Sequence, residues 1–315
     1  MSLLAAVAAL AMAQSGEISH KQYTKVSPRY GFSFEARIEI KPDGKGTRFN
    51  VYYQAQLEDF AQFAAKTYLH LFQILNTKWN IDHPKLAGNQ AIDVYLCTGG
   101  KAGGEQRLDQ EGSLGNWRKV NTIYIFQAQK LDPNSDEAFR ELAHEYGHAV
   151  LPGVSGFDAP EDWGNGYLGE ALFALHAPND AFSSTTLRQG YLRPRLNDIE
   201  SVRQNGPNSK ALSTKGKSAM DSYIALLLYS SIILPEPIFA RALGAGAGAT
   251  GKHVPGLIVN AVDSAQTVEL RLGGKPGWVP IPAGARLKGA TVITKSGNWA
   301  KIKPNSERVW LENGT

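Results

Sequence analysis

Two histidines four residues apart, His144 and His148, enclose a glutamate, Glu145, in the stretch FRELAHEYGHAV. Apolar residues at helical spacing predict a helix over residues 134–151, with both imidazoles one turn apart on a face away from the apolar stripe. Imidazole nitrogens bind Zn²⁺ readily, and a carboxylate beside them can take a proton from a water that the metal activates. The pattern therefore predicts a hydrolytic metal site, and the alternative is a solvated polar face.

A catalytic zinc site also needs a third protein ligand. Glu170 is the only charged residue in the apolar stretch YLGEALFAL, residues 167–175. Burying a carboxylate in such a helix is costly unless it is paired or binds a metal, so Glu170 is the predicted ligand. The alternative for Glu170 is a pair with an arginine or with the histidines. Three acids on the intervening loop are rival third ligands: Asp158, Glu161 and Asp162.

The stretches HEYGH and WGNGYLGEALFAL together resemble the gluzincin metallopeptidases, in particular their thermolysin-like branch. They are similar to members whose second motif reads W-L-x-E-G-x-A, although here Gly169 precedes Glu170 and Trp163 lies further from it. The strands upstream and the apolar helix downstream look like parts of the family's two lobes, so the resemblance covers roughly residues 48–235. It implies a zincin-like lobe, with a small mixed sheet and the active-site helix, followed by a helical C-lobe.

The resemblance implies that His144, His148 and Glu170 bind Zn²⁺. Glu145 would then act as the general base and afterwards as the proton shuttle in peptide-bond hydrolysis. The family often adds a tyrosine or histidine that stabilises the oxyanion, and Tyr223 in the downstream apolar helix is the predicted residue. The alternative for Tyr223 is a core position in that helix.

The implied partner is a peptide or protein substrate. In this family an edge strand commonly binds the substrate backbone by β-addition, and residues 113–117 or 121–126 are the predicted edge. The G-x-M-E-N motif that anchors aminopeptidase substrates is absent from the sequence, which favours an endopeptidase. The metzincin pattern is excluded because Leu151 and Val154 stand where it needs a glycine and a histidine.

The composition is that of a globular protein of 315 residues, 43% hydrophobic and 20% charged. The net charge is only +4, and no Lys/Arg run with interleaved aromatic residues is present, so a nucleic-acid partner is not expected. Cys97 is the single cysteine, which excludes an intrachain disulfide, and its alternating apolar surroundings predict a core residue.

An apolar run over residues 3–13 ends in an A-x-A-like pattern, which predicts a signal peptide cleaved after Ala13 and a secreted or periplasmic protein. The alternatives are a buried N-terminal helix and a wrongly assigned start of the chain. No other segment is long and apolar enough to predict stable membrane insertion.

The order of patterns predicts an α+β fold, with a metallopeptidase domain over 14–265 and a small all-β module over 266–315. Three tryptophans in this module form either its core, which we favour, or a carbohydrate-binding face: Trp278, Trp299 and Trp310. Two other functions therefore stay open, an inactive zinc-containing binding module and a wall- or glycan-binding protein that acts through the β module.

Alternation of residue types predicts a hairpin over 30–54 and strands at 91–96 and 121–127, with a further edge strand within 97–117. Helical spacing predicts further helices at 57–78, 166–177, 218–234, 237–243 and 254–264. Asn134, with Glu137 three residues later, predicts a capping box at the start of the helix with the two histidines.

Overall fold

The protein is described by a computed structural model over residues 16–81, 83, 91–113, 116–177 and 185–314. The predicted signal peptide, residues 1–13, lies outside this range. The chain forms two compact units. The N-terminal unit comprises the described residues of Ala11–Leu151 and Gly166–Tyr191, and the C-terminal unit those of Pro152–Asn165 and Leu192–Thr315.

A six-stranded sheet forms the centre of the N-terminal unit, in the order β1-β2-β3-β4-β6-β5. Its strands are β1 (Glu17–Val26), β2 (Ser33–Lys41), β3 (Phe49–Tyr53), β4 (Ile92–Leu96), β5 (Gly103–Ser113) and β6 (Asn116–Phe126). Strand β4 pairs in parallel with β3 and β6, and the other pairs are antiparallel. All five residues of β4 are buried, as expected of a central strand covered on both faces. The predicted hairpin is confirmed by the β2–β3 pair.

Strand β5 forms one edge of this sheet, and β6 is paired on both sides. The predicted substrate-binding edge at 121–126 is therefore wrong, because the backbone of β6 is used by its two neighbours. The other predicted edge, 113–117, falls partly outside the described residues. The edge strand expected within 97–117 is confirmed as β5.

Helix α1 (Glu58–Gln73) connects β3 to the part of the chain that precedes β4 and continues as a π-helix over Ile74–Lys78. Helix α2 (Asp136–Val150) carries the two histidines and begins after Ser135, whose side chain accepts a hydrogen bond from the Ala138 amide. The predicted cap at Asn134 is thus wrong by one residue. The Asn134 amide instead donates to Asp132, which forms the turn before the helix.

Helix α3 (Asn165–His176) packs closely against α2 in the N-terminal unit. A Cβ atom at Gly169 would lie 2.8 Å from both the Ala143 carbonyl oxygen and the Gly147 Cα. The missing side chain at Gly169 therefore lets the two helix backbones approach each other. This close approach brings residues of α3 alongside the histidine-bearing face of α2.

The C-terminal unit combines helices with two small sheets. Its helices are the second part of α4 (Thr185–Asn205), α5 (Ser209–Leu212), α6 (Lys217–Ile233), α7 (Glu236–Gly244) and α8 (Val254–Asp263). Its strands are β7 (Thr267–Leu270), β8 (Gly277–Pro280), β9 (Arg286–Lys288), β10 (Ala290–Ser296), β11 (Trp299–Pro304) and β12 (Val309–Glu312). They form two three-stranded sheets, in the orders β10-β11-β8 and β7-β12-β9.

The tryptophans of this module divide between core and surface. Trp278 and Trp299 are buried, and their indole N–H groups donate to the carbonyls of Gln204 and Pro255 on or beside the helices of the same unit. The predicted core role of these two residues is confirmed, whereas Trp310 is only half-buried. The burial of Cys97 is confirmed too, and it raises the pKa of the thiol to about 12.

Two of the longer elements have no counterpart in the sequence predictions. Strand β1 lies at a sheet edge and is largely exposed on both faces, so its sequence lacks the apolar alternation that marks a half-buried strand. Helix α4 contains Pro194 and is mostly polar, so helical periodicity is weak in its sequence. Strand β1 is stabilised by its antiparallel main-chain hydrogen bonds to β2.

The architecture is mixed, with a central sheet, helices and small C-terminal sheets, as the α+β prediction requires. The predicted division at 265/266 stays a prediction. Within the described part of the chain, no helix is both long and apolar enough to span a membrane.

Candidate metal centre

Packing of one face of α2 fixes the position of its histidines. Phe139, Leu142 and Tyr146 on that face are fully buried, and each contributes roughly 1.5–3 kcal/mol through removal of apolar surface from water. The Tyr146 hydroxyl lies 2.8 Å from Nδ1 of the buried His83. The helix is therefore held against the rest of its unit, while His144 keeps partial exposure with 17% of its side chain accessible.

The two imidazoles converge through their Nε2 atoms, which lie 3.1 Å apart. Two nitrogens that bind one tetrahedral zinc ion at the usual distance are about 3.3 Å apart, since each Zn–N bond measures roughly 2.0–2.1 Å. The separation of His144 and His148 thus matches a shared metal ion. The spacing of four residues on one helix accounts for it, because such side chains are neighbours on the helix surface.

The other ring nitrogen of His144, Nδ1, lies 2.7 Å from Oε1 of Glu170. A carboxylate only accepts hydrogen bonds, so the proton of a neutral His144 ring belongs on Nδ1. The lone pair then belongs to Nε2, the nitrogen that faces His148. This tautomer follows from the chemistry of the partner and is the one that a metal ligand requires.

The second oxygen of Glu170, Oε2, lies 3.0 Å from Nε of Arg140 and 3.3 Å from the Tyr191 hydroxyl. Glu170 itself is only 3% exposed. The pairing with an arginine and a histidine that was the alternative for Glu170 is the arrangement found, and its predicted role as metal ligand stays a prediction.

Gly166 leaves the space in front of the two Nε2 atoms open. A Cβ atom at this position would lie 2.5 Å from Nε2 of His148 and 2.6 Å from Nε2 of His144. Any larger residue would therefore occupy the place where the two nitrogens converge. The donor chemistry, the separation of the nitrogens and this missing side chain together fit a small cation.

Glu145 is 4% exposed and lies toward β5. A Cβ atom at Gly104 of that strand would lie 2.7 Å from Oε1 of Glu145 and 2.8 Å from Oε1 of Glu141. Both carboxylates therefore lie close to the backbone of the edge strand at Gly104, which has no side chain. Burial raises the pKa of the Glu141 carboxyl above its ordinary value.

Tyr223 is fully buried in the C-terminal unit. Its ring packs 5.2 Å from that of Phe157, and a Cβ atom at Gly164 would come within 2.8 Å of it. The adjoining cavity, lined also by Val154 and Leu227, measures about 10 Å³, which is no larger than a water site. Burial raises the pKa of the Tyr223 hydroxyl. These are features of the core position that was its alternative, and its oxyanion role stays a prediction.

The three acids that could replace Glu170 as third ligand belong to the C-terminal unit. Asp158 is exposed and forms a 3.0 Å ion pair with Lys215. Asp162 is exposed too, with its Oδ1 3.4 Å from the Gly156 amide. Glu161 is half-buried. The role of any of these three acids as third ligand therefore stays a prediction.

Arg140, Tyr191 and Gly166 were not identified from the sequence. Arg140 had a usable signal, since it precedes His144 by four residues and therefore shares its face of the helix. Tyr191 had none, because it belongs to α4, whose sequence does not show helical periodicity. Gly166 had no signal either, because the need for space depends on the position of α3.

Compared with known proteins, this chain matches no family model and no curated protein.

Proposed function

We propose that this protein is a zinc-dependent peptidase of gluzincin type, with His144 and His148 as metal ligands through Nε2. The observation that carries the proposal is the convergence of these two atoms at 3.1 Å in front of Gly166, which has no side chain to occupy that point. The same separation also fits a hydrogen bond from the N–H of one ring to the lone pair of the other, and the zinc content of the protein distinguishes the two arrangements. The resemblance adds Glu170 as third ligand, with the loop acids as alternatives.

When bound, zinc supplies a Lewis acid that polarises the scissile carbonyl and makes a water nucleophilic at neutral pH. Glu145 would accept the proton of the attacking water on its carboxylate and later donate it to the leaving amine nitrogen. Its place on α2 suits this role, since it stands next to His144 in the chain and is displaced by about 100° around the helix. Its burial next to β5 excludes bulk water from the carboxylate.

The position of Glu145 beside the edge strand β5 favours a peptide as the substrate. Strand β5 forms one edge of the sheet, so its outer N–H and C=O groups are available to pair with an extended peptide. The Gly104 backbone lies against Glu145, so a peptide added along β5 would pass close to the base. Such binding favours endopeptidase action, because β-addition engages the middle of a chain and needs no free terminus.

The test compares the wild type with Glu145→Gln and His144→Ala in zinc content and in hydrolysis of a general protein substrate. We expect one zinc per wild-type chain, and none in His144→Ala, which loses a ligand. Glu145→Gln should keep its zinc and lose activity by roughly 10²- to 10⁴-fold, since it removes the general base. Wild-type protein without zinc, or an active Glu145→Gln variant, would refute the proposal.

The same experiment separates the two other functions. A wild type that contains zinc but does not hydrolyse the protein substrate would be the inactive binding module. A glycan-binding role has less support, because Trp278 and Trp299 are used in the core of the β module and are not available as a ligand face.

A further inference from the structure

We infer that Glu170 is a positioning residue, which holds Nδ1 of His144 and is itself held by Arg140 and Tyr191. The inference rests on the proposed function, because it concerns how the same metal site is organised. It departs from the third-ligand role that the resemblance implies for Glu170.

The two oxygens of Glu170 have separate partners. Oε1 accepts from Nδ1 of His144 at 2.7 Å, and Oε2 accepts from Arg140 at 3.0 Å and from Tyr191 at 3.3 Å. The carboxylate is thus fixed at both ends, in a buried place where an unpaired charge would be costly. Its contact is with the nitrogen of His144 that does not face His148.

A carboxylate at Nδ1 affects the other nitrogen of the same ring. It fixes the tautomer, the ring orientation and the basicity of Nε2, and loss of such a partner typically weakens metal binding by about 10- to 100-fold. A ring edge-to-face contact with Tyr167, at 4.9 Å between centroids, adds a second restraint on His144. His144 is therefore set for metal binding by residues that need not touch the ion.

Arg140 has a defined part in this arrangement. It lies on α2, one turn before His144, and reaches across to the carboxylate of α3. The guanidinium offers several donors in a fixed plane, which holds a carboxylate in one orientation better than a flexible ammonium group does. Without it, Oε2 of Glu170 would lose its charged hydrogen-bond donor.

The experiment measures the affinity for Zn²⁺ by competition with a chromogenic chelator. Glu170→Gln keeps a carbonyl oxygen that can accept from Nδ1, whereas Glu170→Leu keeps none. For a positioning residue we expect Gln to weaken binding by about 10-fold or less and Leu by about 10- to 100-fold, with one ion per chain in both. Arg140→Gln should weaken binding by about 10-fold, and the control Arg195→Gln, from an ion pair elsewhere on α4, should leave it unchanged.

Two results would overturn the inference. If Glu170→Gln loses zinc as completely as His144→Ala, Glu170 is a ligand. If Glu170→Leu binds zinc like the wild type, the carboxylate has no part in the site.

A second measurement does not depend on the metal. Nitrogen NMR of the metal-free wild type should show His144 protonated at Nδ1, and Glu170→Leu should shift the ring toward the Nε2–H tautomer. An unchanged tautomer in Glu170→Leu would contradict the positioning role even in a protein that binds no zinc. Absence of zinc from the wild type alone would refute the proposed function and leave this test in place.

Discussion

At the scale of single residues, the site depends on two glycines as much as on its polar side chains. Gly166 and Gly104 each stand where a Cβ atom would come within 2.8 Å of a side-chain nitrogen or oxygen of the site. A substitution at either position therefore changes the site directly, without any change in its ligands or its base.

We predict that Gly166→Ala lowers the affinity for Zn²⁺ by at least about 10-fold, because its methyl group would displace the ligand nitrogens from their common point. Isothermal titration with Zn²⁺ measures the change. Gly190→Ala is the matched control, since it is also a helix glycine and a Cβ atom there meets nothing within 4 Å. Equal affinities of the two variants would show that the ion does not occupy the space in front of Gly166.

The residue types and spacing of α2 were enough to predict which side chains form the centre. His144, Glu145 and His148 follow from helical geometry alone, because residues four apart on a helix are neighbours. The environment of Glu170 could not be predicted in the same way. Its partner Arg140 lies on another helix, and their distance depends on how closely α2 and α3 pack.

At the scale of elements, that packing depends on Gly169. We predict that Gly169→Ala destabilises the protein by roughly 1–3 kcal/mol, since its Cβ would press on the backbone of α2, which can move only as a helix. Urea unfolding followed by circular dichroism gives the free energy. The control Gly256→Ala, in α8, meets no atom within 4 Å and should leave the free energy of unfolding unchanged or higher. A neutral Gly169→Ala would mean that the helices are further apart than described.

His83 links the packing of α2 to pH. Burial lowers the pKa of His83 from 6.5 to about 3, so the folded protein keeps the ring neutral where the unfolded chain protonates it. Its contribution to stability is complete above pH 6.5 and is lost as the pH falls toward 3, with a slope of up to about 1.4 kcal/mol per pH unit.

We therefore predict that wild-type protein loses more stability between pH 7 and pH 4 than His83→Gln does, because glutamine can still bond the Tyr146 hydroxyl but does not titrate. Urea unfolding at a series of pH values gives the difference. Substitution of His20, which is exposed, is the control and should not alter the slope. Parallel curves for wild type and His83→Gln would contradict the burial of a neutral ring.

The sequence predicts those strands and helices whose own residues follow a recognisable apolar pattern. Strands β3 and β4 and helices α1, α2 and α6 have apolar residues at the period of their structure, and all were predicted close to their bounds. Strand β1 has no such pattern, since it is exposed at a sheet edge and forms because β2 offers it a partner. The place of β6 inside the sheet could not be predicted either, because sheet order depends on contacts between distant parts of the chain.

At the scale of the whole molecule, the β module and the helices of Leu192–Thr315 belong to one compact unit. Gln204 and Pro255 accept from the two buried tryptophans, and the Tyr229 hydroxyl donates to the Trp278 carbonyl at 2.8 Å. These bonds connect α4, α6 and α8 to the strands. Unfolding of the strands is therefore expected to unfold those helices as well.

We predict that Trp278→Ala destabilises the C-terminal unit by roughly 3–5 kcal/mol and lowers its helical and tertiary signals in one transition. Thermal melts followed by circular dichroism and by fluorescence test the coincidence. The half-buried Trp310 gives the control, Trp310→Ala, with a smaller loss. Two separate transitions would instead support an independent domain at 266–315.

The rigid face of α2 has a thermodynamic consequence. Zinc fingers gain their fold from the metal, and chelators unfold them. Here the apolar side of the helix is buried in its own right, and the Nε2 atoms already stand at the separation of two zinc ligands. Metal binding would order almost no additional chain and would stabilise the protein by mass action alone, by about 2.7 kcal/mol at a free zinc concentration one hundred times Kd. A chelator would then lower the melting temperature and leave the helix content intact, so that the ion could be exchanged without refolding.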